Sequence, residues 1–240
     1  MGDTTLWDFP HAGRRDALAR IGAGALSLLA ADIVRAADAN PKLSCIATPA
    51  QTEGPYFVDE RLNRADIRSD PADGSLKDGT PLKLRLFVHA VTASGCAPLV
   101  GAVVDIWHCD ARGAYSDVDD SARRTAGHKF LRGYQTTGTD GGVEFLTIYP
   151  GWYQGRATHI HFKVRGRSPS GREYAFTSQL YFDEATSEQV YARAPYARSG
   201  RRPRNADDFI YRDGGKELML ALVPDGGGYA GRFDIGLRTA

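Results

Sequence analysis

Hydrophobic and polar residues alternate strictly along residues 82–91. Leu82, Leu84, Leu86, Val88 and Ala90 share one face, and Lys83, Arg85, Phe87 and His89 share the other. A period of two predicts a half-buried strand, with His89 on its solvated side. Similar short apolar runs predict strands over residues 102–107, 133–139, 142–149, 158–165, 174–182 and 229–237. Asp140-Gly141, between two of these runs, predicts a β-hairpin. Residues 184–193 are the one stretch that reads as a helix. Residues 40–80 are loop-rich, 117–129 read as an extended surface loop, and 193–204 as an arginine-rich loop. Strands at regular intervals, without alternating helices, predict an all-β fold: an antiparallel β-sandwich with long loops and one short helix.

Composition fits this picture. The 240 residues are 42% hydrophobic, enough for a core that does not depend on disulfides, and 27 glycines suit a turn-rich β domain. A formal charge of +1 argues against a nucleic-acid partner held by bulk electrostatics. Cys45, Cys96 and Cys109 are an odd set, so at least one stays outside an intramolecular bridge. A Cys96–Cys109 bridge is awkward: a straight strand between them would separate its ends by about 40 Å, against the roughly 7 Å limit for a disulfide. Cys45 pairs more easily with either.

Residues 1–39 have the order of an export leader: Arg14-Arg15, an apolar run at 21–31, then Ala37-Asp38-Ala39 as a small-residue cleavage site. The arginine pair resembles a twin-arginine signal, although Asp16 and Ala17 depart from the commoner following residues. The apolar run is too short to span a bilayer, so no stable membrane anchor is expected. The domain is then residues 40–240, exported to the periplasm or secreted.

The richest chemistry lies at residues 150–162. His159 and His161 are two apart on a predicted strand, so their side chains share a face and can converge on one ion. Imidazoles so placed suit iron, copper, zinc or nickel. Tyr153 follows a Pro-Gly turn that can fold it back over the strand. Arg156 adds a fixed cation between them. His108 adjoins the strand ending at Trp107, and adjacent strand residues face opposite ways, so it is left out as a ligand.

Three further segments give the pattern a family. Residues 101–116, running through Trp107-His108-Cys109-Asp110 to Tyr115, resemble the first-tyrosine segment of the intradiol ring-cleavage dioxygenases. Pro150-Gly151-Trp152-Tyr153, Arg156 and His159-Ile160-His161-Phe162 resemble that family's second-tyrosine and histidine segments. Thr52-Glu53-Gly54-Pro55-Tyr56-Phe57 and Ser178-Gln179-Leu180-Tyr181-Phe182 are similar to an N-terminal motif and a later core strand of the same family. The likeness runs from about residue 45 onward. It implies a non-haem Fe(III) centre held by Tyr115, Tyr153, His159 and His161. Two phenolates and two imidazoles suit ferric iron better than zinc or copper(I). The implied substrates are a catechol-type diol and O2. Chelation of the diol would displace Tyr153, and cleavage between the two hydroxyl-bearing carbons would give a muconate-type diacid. Arg156 would stabilise developing negative charge, and Gln179 is similar to a residue that positions this arginine.

Two other readings compete. One is a periplasmic copper or zinc protein using His159, His161 and Cys109. The other is a transthyretin-like binding sandwich without catalysis.

Overall fold

The computed structural model describes residues 46–120, 123–168 and 171–238. The leader at 1–39 and Cys45 lie outside the described residues. Among the described residues there are eleven strands and one α-helix. They are β1 (Pro81–Thr92), β2 (Gly95–Pro98), β3 (Val103–Trp107), β4 (Asp119–Asp120), β5 (Arg123–Arg124), β6 (Arg132–Thr136), β7 (Gly142–Ile148), β8 (His159–Arg167), β9 (Glu173–Tyr181), α1 (Glu184–Tyr191), β10 (Ala221–Asp225) and β11 (Gly228–Leu237). Among the described residues no helix is long and apolar enough to cross a membrane.

Two sheets form the sandwich. In one, β1 is flanked by β11 on one edge and by β7 and β2 on the other, with β10 outside β11. The second has the order β6-β3-β8-β9. The alternation in β1 does its predicted work, because Leu82, Leu84, Leu86 and Val88 are fully buried. They meet Val104 and Ile106 of β3, Phe145 of β7, and Ile160, Phe162 and Val164 of β8 in one apolar core. Fully burying such a side chain contributes about 1.5–3 kcal/mol.

Four expectations change. The sheet is mixed rather than wholly antiparallel, since β1 and β11 pair in parallel from Leu82↔Tyr229 to Ala90↔Leu237. β6 and β7 are not a hairpin: β6 pairs with β3 and β7 with β1, so the Asp140-Gly141 turn carries the chain between sheets. The turn is local, with Gly141 N–H donating to Gly138 O at 2.9 Å, and Gly141 O then accepts from Val88 N–H of β1. His89 is buried, its Nε2 3.3 Å from Asp234 Oδ1 on the paired strand β11. Within 117–129, β4 and β5 pair as a two-residue ladder. Cys96 is disulfide-bonded while Cys109 keeps a buried thiol, which rules out the bridge between them.

α1 begins where Asp183 accepts a hydrogen bond from Thr186 N–H, a side-chain N-cap that satisfies one of the open amides of the first turn.

Candidate metal centre

Register places the histidines. Across β3, β8 and β9, Trp107 lies beside His161 and His161 beside Gln179, and one step along His159 lies beside Tyr181. The other face of β8 feeds Ile160 and Phe162 into the core. The His161 ring stacks on Trp107 at 4.8 Å between centroids and 7° between planes, which fixes its orientation. His159 Nδ1–H donates to Ala157 O at 2.7 Å. That bond sets the tautomer, leaving a lone pair on Nε2.

Two loops bring the tyrosines to this face. After β3 the Asp110 carboxylate accepts from the amides of Arg112 and Ala114 at 2.9 and 2.8 Å, turning the chain toward Tyr115. This turn interlocks with the Pro150-Gly151-Trp152 segment through two glycines. A Cβ on Gly113, whose φ is +80°, would stand 2.2 Å from Trp152 O, and a Cβ on Gly151 would stand 2.3 Å from Asp110 O. Only Gly allows the two loops to approach this closely. Arg132, almost fully buried, donates to the Ser116 hydroxyl and carbonyl and to Tyr56 O, tying the loop bearing Tyr115 to the N-terminal segment.

Four donor atoms meet. His159 Nε2 lies 3.1 Å from His161 Nε2, 3.2 Å from the Tyr115 hydroxyl and 3.3 Å from the Tyr153 hydroxyl. A single lone pair cannot accept from all these neighbours at once. Two ligands each about 2 Å from one ion, at ordinary coordination angles, lie about 3 Å apart. The cluster therefore fits a shared cation. His161 Nδ1 is buried without a hydrogen-bond partner, a cost that a metal bond at Nε2 would offset.

Electrostatics agree. Burial, then the Arg156 charge, holds His159 well below the usual imidazole range; burial, then His159, does the same to His161. Both are therefore neutral, as ligands must be. Burial pushes the Tyr115 phenol well above its ordinary value and Tyr153 up to about 12. Without a cation both phenols keep their protons at neutral pH. A bound cation inverts that preference.

Arg156 and Gln179 join the site. Arg156 donates from Nη2 to Gln179 Oε1 and from Nε to Asp208 Oδ2 at 2.9 Å, and its Nη1 is 3.5 Å from His159 Nε2. Desolvation opposes its charge, but Tyr153 and Asp208 more than offset this and keep its pKa raised. Gln179 Nε2 donates to Thr52 O at 2.9 Å. His108 turns away, bonded to Cys109 O and to the Thr147 hydroxyl at 2.7 Å. Among the described residues, the one set of three His, Cys, Asp or Glu side chains with ligand atoms within 4.8 Å is Asp70, Asp73 and His128. Cys109 therefore does not complete a site with His159 and His161. Sequence reasoning missed Asp208, which has no local motif. It also passed over Tyr56, stacked on Tyr115 at 4.5 Å, and Trp107, both inside motifs it had singled out.

Comparisons with known proteins agree with this geometry. A family model described as "Dioxygenase" matches residues 52–204. The chain is 30% identical to the intradiol ring-cleavage dioxygenase from Tetranychus urticae, covering 81% of this chain and 96% of that one with a TM-score of 0.70. It is 31% identical to the dioxygenase domain of a dioxygenase–carbohydrate-binding fusion from Streptomyces sp. SirexAA-E, covering 81% and 100% with a TM-score of 0.59. Catechol 1,2-dioxygenase 1 of Acinetobacter lwoffii is 30% identical over 144 residues, 50% of this chain and 43% of that protein. The chain spans roughly half the length of the curated relatives it matches. With the family match spanning most of the described domain, and the tyrosine and histidine segments meeting at one point, the chain belongs to the intradiol ring-cleavage dioxygenase family.

Proposed function

We propose that this protein is a non-haem Fe(III) dioxygenase that opens a catechol-type ring between its two hydroxyl-bearing carbons, placing both atoms of O2 in a muconate-type diacid. The convergence of Tyr115, Tyr153, His159 and His161 on one point carries the reading. Tyr115, Tyr153, His159 and His161 would hold the iron, which supplies Lewis acidity toward the diol when bound. The remaining work falls to side chains. His159 and His161 anchor the site from a strand whose opposite face is locked in the core. Tyr115 is 5% exposed, so it is the fixed phenol. Tyr153 is half-buried and followed by exposed Gln154 and Gly155, so it can swing out and take a substrate proton on its phenolate oxygen. Arg156 presents Nη1 to the same point as a preorganised cation for charge that builds up on the substrate.

The test begins with metal analysis and O2 uptake with catechol on the purified protein. About one iron per chain and stoichiometric O2 consumption are expected; an iron-loaded protein inert toward a panel of catechols would sink the proposal. Visible spectra of Tyr115→Phe and Tyr153→Phe, with and without anaerobic catechol, then assign the phenols. Tyr115→Phe should differ from the parent in both states. Tyr153→Phe should differ strongly only before catechol is added, while turning over about 10²–10⁴-fold more slowly.

The export reading stands as part of the same proposal. Arg14-Arg15, the apolar run and Ala37-Asp38-Ala39 support a twin-arginine-type leader, and a disulfide at Cys96 suits an oxidising compartment. Arg14→Lys with Arg15→Lys should accumulate precursor in the cytoplasm; unchanged export would remove the twin-arginine assignment.

A further inference from the structure

Asp208 has no part in the ligand set, yet it is fully buried and its carboxylate is spent on the site. Oδ2 accepts from Arg156 Nε at 2.9 Å and from Ala157 N–H at 3.0 Å, and Oδ1 accepts from Ile210 N–H at 2.9 Å. A guanidinium is planar, so two fixed nitrogens fix the third. Asp208 holds Nε, Gln179 holds Nη2, and what remains is Nη1, 3.5 Å from His159 Nε2. Gln179 is itself held by Thr52 O, and the Tyr181 hydroxyl lies 3.2 Å from its Oε1. The Tyr181 hydroxyl also reaches Gln51 Oε1 at 2.9 Å, and Gln51 Nε2 donates to Ile210 O and Asp213 O at 2.9 and 2.7 Å. The loop bearing Asp208 is thereby tied back to the strand bearing Gln179, so both arms that grip Arg156 belong to one closed network.

We infer that Asp208 is a positioning residue for the ring-cleavage reaction, aiming Arg156 Nη1 at the reacting oxygens. The inference rests on the function proposed above. Without the carboxylate, the guanidinium keeps its charge but pivots about the Gln179 contact, and Nη1 leaves the donor cluster. A misplacement of about 1 Å at such a group can cost on the order of 10²-fold in rate.

The experiment is a double-mutant cycle on the iron-loaded enzyme with catechol. Asp208→Asn should lower kcat by about 10²-fold, well beyond any change in KM, at unchanged iron content. In an Arg156→Ala background the same substitution should change kcat by less than about threefold, since the group it aims is gone. Added guanidinium should restore part of the Arg156→Ala activity only where Asp208 is intact. Equal losses in both backgrounds, or a wild-type rate for Asp208→Asn, would overturn the inference. A readout independent of turnover is the nitrogen NMR signal of Arg156 Nε–H in the gallium(III)-loaded protein. It should be protected from solvent exchange in the parent and exposed in Asp208→Asn; equal protection in both would also overturn it. If the wild-type enzyme cleaves no catechol, the proposed function fails, while the NMR arm still decides whether Asp208 clamps Arg156.

Discussion

Ile160, Phe162 and Val164 share β8 with His159 and His161, and all five are at most 2% exposed, yet the two faces are buried at opposite cost. On the apolar face burial is itself the driving force. On the histidine face burial removes two imidazoles from water, and one ring nitrogen of His161 recovers no partner. Protein contacts only partly repay that cost: Trp107 stacks on one ring and Ala157 O fixes the other. Under the proposed function, a cation on the Nε2 atoms would offset part of the rest. One strand thus places a stabilising surface and an unsatisfied one back to back, and the rigidity of the first gives the second its geometry.

Substitutions at neighbouring positions should separate the two faces. His161→Ala is expected to have the largest effect, losing most bound iron and all ring cleavage, since half the nitrogen anchor is gone. Urea unfolding of its metal-free form should stay close to that of the metal-free parent. Full iron occupancy would show that the histidine face is not the anchor. Phe162→Ala should behave in the opposite way. It removes about 3–5 kcal/mol of folding stability, read from the denaturant midpoint, while the fraction that remains folded and loaded keeps near-parental turnover per iron. A matching collapse of turnover per iron would mean that the two faces are not separable.

The smallest effect concerns His108, another buried imidazole, whose two ring nitrogens are both satisfied by the protein alone. Burial lowers it to about 4, with its bond to Cys109 O working in the other direction. An unfolded histidine titrates near 6.5. Between those values the unfolded chain takes a proton that the folded protein refuses. The contribution is therefore fully present above about 6.5 and is lost as pH falls toward 4. Relative to a His108→Gln variant, the parent should lose about 2 kcal/mol of stability between pH 7 and pH 5. Parallel pH profiles for the two proteins would show that His108 is not held neutral.

What the sequence disclosed follows the range of the interactions involved. The core face of β1 and the shared face of His159 and His161 are set by residues two apart, and both were legible. Tyr115 and Gln179 were legible only through family resemblance, because a loop after β3 brings in the first and the β8–β9 register the second, each from a distant segment. The Asp140-Gly141 reading went astray in an instructive way. The dipeptide specifies a tight turn, and the turn is there, but nothing within it specifies which sheet receives the next strand. His89 was misread for a similar reason: its partner Asp234 lies on β11, 145 residues away. Asp208 occupies an irregular segment 52 residues beyond Arg156, where no period or motif marks it.

The parallel pairing of β1 with β11 also bears on how the chain is made. β1 is an early strand and β11 the last one described, so on the ribosome β1 waits with one edge open while more than a hundred residues are added. All four side chains proposed to hold the iron have been synthesised by residue 161, well before the strand that closes the sheet. An open edge of nine residue pairs is a template for the wrong partner. Synthesis that stalled before Gly228 would leave a nascent chain with the proposed ligand side chains complete and its sheet unsealed, a species for chaperones or proteases to deal with.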